Sequence, residues 1–141
     1  IGHTKGIGKA IANLYRAKKY SVLGLSRTNG FDISKDQEKI LEHIEGYPLV
    51  VVNAHAGRAQ LELLKRIYGK HAFDKMKVAV ITSTSGTEQG IDEDFDNQDY
   101  KEYCRHKNEL IGYVSDLQEE LLNYQMINFQ FLLEKNLIKK F

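Results

Sequence analysis

Gly2-His3-Thr4-Lys5-Gly6-Ile7-Gly8 is the stretch on which the fold turns. It spaces its glycines as G-x-x-x-G-x-G and runs unbroken into residues 6–18, where Ile7, Ala10, Ile11 and Leu14 recur at helical intervals. Glycine permits a tight strand-to-helix turn, lets backbone come close to a diphosphate, and allows close helix–sheet packing. The first turn of the helix adds unpaired N–H groups and the positive end of its dipole. No G-K-[ST] closes the loop, which excludes a Walker-type phosphate loop, and the order G-x-G-x-x-G is not written here either. The plain alternative is a glycine-rich turn with no ligand.

Working outward, the loop sits at the head of alternating strands and helices. Ile1 reads as the last residue of a strand whose earlier part precedes the numbering. Tyr20–Ser26 is expected to be a short strand, with a turn through Thr28, Asn29 and Gly30. Ser34–Glu45 reads as a helix with Ser34 as N-cap and Ile40, Leu41 and Ile44 as its buried stripe. Leu49–Ala54 (LVVVNA) and Lys77–Thr82 (KVAVIT) are apolar, β-branched runs of the kind buried on both faces of a parallel sheet. Between them, residues 58–70 place Leu61, Leu64, Ile67 and Tyr68 in helical phase. An acidic loop from Ser85 to about Gln98 leads to a long helix, 99–124, with Leu110, Val114, Leu117 and Leu121 on its apolar side. In the tail, MINFQF reads as a further strand and LLEKNLIKK as a short helix. This alternation predicts a single α/β domain over residues 1–141, with a parallel sheet.

Composition narrows the function. The chain has 141 residues, 42% of them hydrophobic and 28% charged, which is ordinary for a globular domain. A net charge of +1 gives no electrostatic case for nucleic acid or an anionic membrane surface. One cysteine, Cys104, excludes an internal disulfide framework and fits a reducing compartment. No apolar run reaches the roughly 20 residues of a membrane span, and no leader is visible, so the cytoplasm is the expected location.

Two sites of chemistry follow. After the segment 20–26 stand Ser26 and Arg27, where a carboxylate would bind the adenosine ribose hydroxyls and a cation would accept a 2′-phosphate. The planar guanidinium of Arg27 suits phosphate. Tyr103 and Lys107 are one helical turn apart and share a face. An ammonium near a phenol favours the phenolate and suits it to pass a proton to or from a substrate oxygen. Ser83 follows the second apolar strand, and its hydroxyl is placed to hold that same oxygen. Tyr100 has Cys104, not a lysine, as its fourth residue on and reads as a surface side chain.

Together these motifs resemble the short-chain dehydrogenase/reductase family, over about residues 1–124. Its T-G-x-x-x-G-[IL]-G pattern is matched from Gly2 to Gly8, with Ile1 in place of Thr. Its N-N-A-G motif is matched in part by Asn53-Ala54, with Val52 and His55 departing from it. Its catalytic Ser is matched by Ser83 in Ile81-Thr82-Ser83-Thr84-Ser85-Gly86, with Ser85 as second choice, and its Tyr-x-x-x-Lys by Tyr103 and Lys107. The resemblance implies a three-layer, doubly wound Rossmann-type sheet. It implies NADP(H) in preference to NAD(H), with Gly2, Thr4, Lys5, Gly6, Ile7 and Gly8 around the diphosphate and Lys5 and Arg27 selecting the phosphorylated ribose. Ser26, the Asp32-Ile33 pair beside the adenine, Asn53 and Ala54 would complete the cofactor site. Asp32 also reads as a turn or cap residue, and Asn53 as one that closes a strand with its own turn hydrogen bonds. Ser83, Tyr103 and Lys107 would be catalytic in the interconversion of a carbonyl and an alcohol, with Lys107 also touching the nicotinamide ribose. A homodimer or homotetramer is implied.

Two features of the family have no counterpart. Residues 58–68 contain no Asn, where the family has one that supports a proton-relay water, and the chain stops soon after residue 125. Both favour a rival reading, a non-catalytic dinucleotide-binding sensor. A nucleotide-sugar epimerase or reductase is the second rival, since that branch tolerates a longer gap between Ser and Tyr. Asp92, Asp94 and Asp96 begin like a calcium loop, but Asn97 replaces its Gly and Tyr103 its closing Glu. His3, His43, His55, His71 and His106 lack metal-ligand spacing, so no metal is expected.

Overall fold

The computed structural model describes residues 1–72, 75–83, 97–123 and 130–133. Helix α1 (Gly6–Ala17) is followed by an extended segment, a 3₁₀ turn (Arg27–Asn29) and helix α2 (Gln37–His43). Strand β1 (Leu49–Val52), helix α3 (Ala59–His71), strand β2 (Lys77–Val80), helix α4 (Gln98–Asn123) and strand β3 (Gln130–Leu133) complete the order. The strands form a parallel sheet in the order β1-β2-β3, with Val50 opposite Val78 and Val78 opposite Phe131. The chain is therefore mixed α/β with crossover helices between parallel strands.

Hydrophobic phase explains the helices. In α3, Leu61, Leu64 and Ile67 are buried, joined by Leu63, and α4 buries Leu110, Val114 and Leu117. These pack with Ile33, Ile40, Leu41 and Ile44 and with Val50, Val52, Val78 and Val80 in one core. Fully burying one such side chain contributes roughly 1.5–3 kcal/mol, which is why period outweighs local propensity here. The side chain of Leu121 and the acidic loop with Ser85, Asp92, Asp94 and Asp96 lie outside the described residues.

Several expectations need correction. Both apolar strands alternate in burial: Val50, Val52, Val78 and Val80 are inside, whereas Leu49, Val51 and Ala79 are half-buried and Lys77 is exposed. Among the described residues, one face of the sheet meets the core and the other is only partly covered. Segment 20–26 is extended but is not a strand, because only Leu25 carries a ladder-like bond, its carbonyl accepting from Gly2 N–H at 2.7 Å. On α1, Gly8 and Ala12 are buried, while Leu14, expected inside, is 49% exposed. Helix α2 begins after Ser34, not at it. The Asp32 carboxylate accepts from Ser34 N–H (2.9 Å) and that of Asp36 accepts from Asp32 N–H (2.8 Å), so an Asp-built turn takes the place of the Ser cap. In the tail, Leu132 and Leu133 belong to β3 and not to a helix, and residues 134–141 lie outside the described residues.

Candidate functional site

The glycine loop lies across the carboxyl end of β1. Gly2 has φ +81°, and a Cβ there would meet the backbone nitrogen of Ala54 at 2.7 Å. Gly8 is wedged against the Gly2 carbonyl and Asn53 Nδ2, and Asn53 Nδ2 itself donates to Gly2 O at 2.9 Å. Side chains at these two glycines would push the loop off the strand. Gly6 differs. Its φ of +51° needs glycine, yet nothing lies within 4 Å of where a Cβ would stand. Open space beside a glycine at a helix start leaves the unpaired N–H groups of the first turn accessible to an anion. The first turn of α1 carries no acidic residue, and Lys5 before it makes no side-chain cap bond. Thr4 and Lys5 are exposed beside this opening and Ile7 is half-buried.

The residues expected to line the adenosine end of a cofactor fall into two groups. Arg27 is exposed at the start of the 3₁₀ turn. Ser26 is buried and committed to that turn, its N–H bonded to Asn29 Oδ1 at 2.7 Å and its hydroxyl to Thr28 at 2.9 Å. Asp32 serves the turn described above, and the Ser34 N–H and hydroxyl beside its carboxyl hold its pKa below the ordinary value. Ile33 buries its side chain in the core, 4% exposed, leaving only its backbone to border a ligand.

At the same end of the sheet stand the reacting candidates. Ser83 follows β2 and is half-buried. Tyr103 is half-buried on α4, and Lys107, one turn on, is 4% exposed. Lys107 Nζ lies 5.8 Å from the Tyr103 ring centroid. The amine donates to Gln60 Oε1 at 2.8 Å and to Ile81 O at 3.2 Å. Burial of this amine lowers its pKa to about 8.

Gln60 is the site residue the sequence reading missed. Besides accepting from Lys107, its Nε2 donates to Val52 O (3.2 Å) and Ile81 O (3.3 Å), tying α3, α4 and the ends of β1 and β2 together. The signal was available: Gln60 shares the helical phase of Leu63, Leu64 and Ile67, so a polar side chain occupied a core position. His55 also stands at this site. Its ring meets Tyr103 edge-on, with centroids 4.8 Å apart, and His106 lies 6.3 Å from it. Desolvation, followed by the Lys107 charge, holds the His55 pKa below its ordinary value. His3 instead faces the other way, its ring packed on Gly24. No match to the chain is found among protein-family models, curated proteins or solved structures. Among the described residues, no helix is long and apolar enough to cross a membrane.

Proposed function

We propose that this chain is an NADP(H)-dependent oxidoreductase that interconverts a carbonyl and an alcohol on a doubly wound Rossmann-type sheet. One observation carries the reading. A buried amine, Lys107, is fixed by Gln60 and the Ile81 carbonyl one turn from Tyr103, at the strand ends where the glycine loop leaves room above Gly6. Ligands gather at the carboxyl ends of parallel strands. The residues fit the cofactor: the open helix start suits a diphosphate, and the exposed cations Lys5 and Arg27 suit a ribose 2′-phosphate. When bound, the nicotinamide supplies or accepts the hydride.

The protein's own part is binding and proton handling. Tyr103 gives its phenolic proton to the carbonyl oxygen in reduction and takes it back in oxidation. Lys107 places positive charge beside that phenol and reaches the nicotinamide ribose. Ser83 holds the substrate oxygen. Replacing Tyr103 with Phe tests the mechanism: NADPH oxidation across a panel of aldehydes and ketones should fall by at least roughly 100-fold, with NADPH binding retained.

A sensor reading follows instead where the two bonds of Lys107 serve only to fix α4 to the strand ends. Under that reading no carbonyl substrate is turned over by the unaltered chain, and Tyr103→Phe changes nothing.

A further inference from the structure

A proton handled by Tyr103 has to reach solvent. Each turnover of the proposed reaction leaves the phenol with one proton too many or too few, and a second group must settle the difference. Lys107 does not meet water itself, being 4% exposed and turned to Gln60 and the Ile81 carbonyl. Two other rings lie against Tyr103. Tyr100 stacks loosely on it, with centroids 6.4 Å apart, but a phenol is a poor proton acceptor near neutrality. His55 meets it edge-on at 4.8 Å, and an imidazole both gives and takes protons in that range.

The fold holds His55 in that position. It stands just past β1, on the connection to α3, and this connection is fastened to α4 at two further points. Arg58 pairs with Glu109 at 3.2 Å, and His106 packs over Gly57, where a Cβ would lie 3.6 Å from its Cε1. His55 is nevertheless exposed, so one side of the ring meets Tyr103 and the other meets water. Lys107 and His106 face it from α4 and Gln60 faces it from α3, while Glu102 lies 3.9 Å from His106. Partial desolvation, then the Lys107 charge, disfavours the imidazolium against a weaker opposing effect of the Gln60 amide. His55 therefore rests neutral at neutral pH, able to accept a proton.

We propose that His55 is the proton shuttle of this site, carrying the proton between the Tyr103 hydroxyl and solvent through one water. The inference rests on the oxidoreductase reading above. In alcohol oxidation the Tyr103 phenolate takes the substrate's hydroxyl proton and becomes a phenol. That O–H bond then breaks, an N–H bond forms on the His55 ring by way of the water, and the imidazolium releases the proton to solvent. In carbonyl reduction each transfer runs backwards. Among the described residues no hydrogen bond joins the two side chains, and a general base works through one intervening water as well as directly.

The test follows NADP⁺-linked oxidation of a panel of alcohols between about pH 6 and pH 10 by the unaltered chain, His55→Ala and His55→Phe. At neutral pH both variants should lose roughly 100-fold in kcat with the KM for NADP⁺ unchanged. The loss should narrow towards the alkaline end, where hydroxide takes the phenol's proton unaided. Added imidazole should restore His55→Ala severalfold and leave Tyr103→Phe unmoved. Phe keeps a ring packed on Tyr103, so full activity in His55→Phe would overturn the proposal. So would a loss in His55→Ala that neither pH nor imidazole alters. Undiminished turnover by His55→Ala refutes the shuttle and leaves the oxidoreductase reading standing, whereas no turnover by the unaltered chain refutes that reading and the shuttle with it.

Discussion

Replacing Gln60 with Leu should destabilise the protein in a way that depends on the charge of Lys107. The substitution is close in volume and removes one charge-assisted bond to the amine (2.8 Å) and two longer bonds to Val52 O and Ile81 O. Those two carbonyls keep other donors, Ile81 N–H and Lys107 Nζ respectively, so the loss concentrates on the amine. A hydrogen bond to a charged group contributes about 1.5–3 kcal/mol and one to a neutral group about 1 kcal/mol. Folded Lys107 loses its proton near pH 8, already below its ordinary 10.5, and loss of Gln60 lowers that value further. Between the variant's pKa and 8 the unaltered protein binds a proton that the variant does not, so the penalty is largest below pH 7 and shrinks above pH 9. Urea unfolding followed by circular dichroism should give a loss of about 2 kcal/mol at pH 6.5 and about 1 kcal/mol at pH 9.5. In a Lys107→Met background the pH dependence should vanish. A penalty equal at both pH values, or unchanged in that background, refutes the reasoning and leaves Gln60 as packing alone.

Other outcomes follow from the same geometry. Gly6→Ala should cost about 1–2 kcal/mol for its left-handed backbone, yet leave a folded chain whose NADPH affinity is abolished in a fluorescence titration. Gly8→Ala, driven into the Gly2 carbonyl and Asn53, should instead lower the thermal midpoint sharply before binding is considered. Because Lys107 sheds its proton at about 8 when folded but at its ordinary 10.5 when unfolded, the unfolded state binds more protons between those values. Stability should therefore rise from pH 8 to pH 10, by about 1.4 kcal/mol per pH unit from this one group, and Lys107→Met should flatten that rise in urea titrations.

Periodicity made the long helices legible. The stripe Leu110, Val114, Leu117 in α4 and Leu61, Leu64, Ile67 in α3 each repeat at helical spacing and are buried as that spacing demands. The parallel strands were legible as apolar runs, but their burial was overestimated because a run such as LVVV states that both faces are apolar, not that both are covered. The start of α2 was misplaced since Ser34 and Asp32 are both good turn formers, and the carboxylate won. Segment 20–26 has strand composition, yet a strand exists only through its neighbours, and only its end at Leu25 finds one. In the site, the spacing of Tyr103 and Lys107 foretold a shared helix face. It could not foretell that the amine would turn to Gln60, a contact between residues 47 positions apart.

A titration of the intact chain with NADPH and with NADH, followed by nicotinamide fluorescence, tests the central claim most directly. Saturable enhancement with NADPH is the expected result, with NADH at least roughly tenfold weaker because Lys5 and Arg27 have no 2′-phosphate to hold. No binding of either nucleotide by a demonstrably folded chain would contradict it.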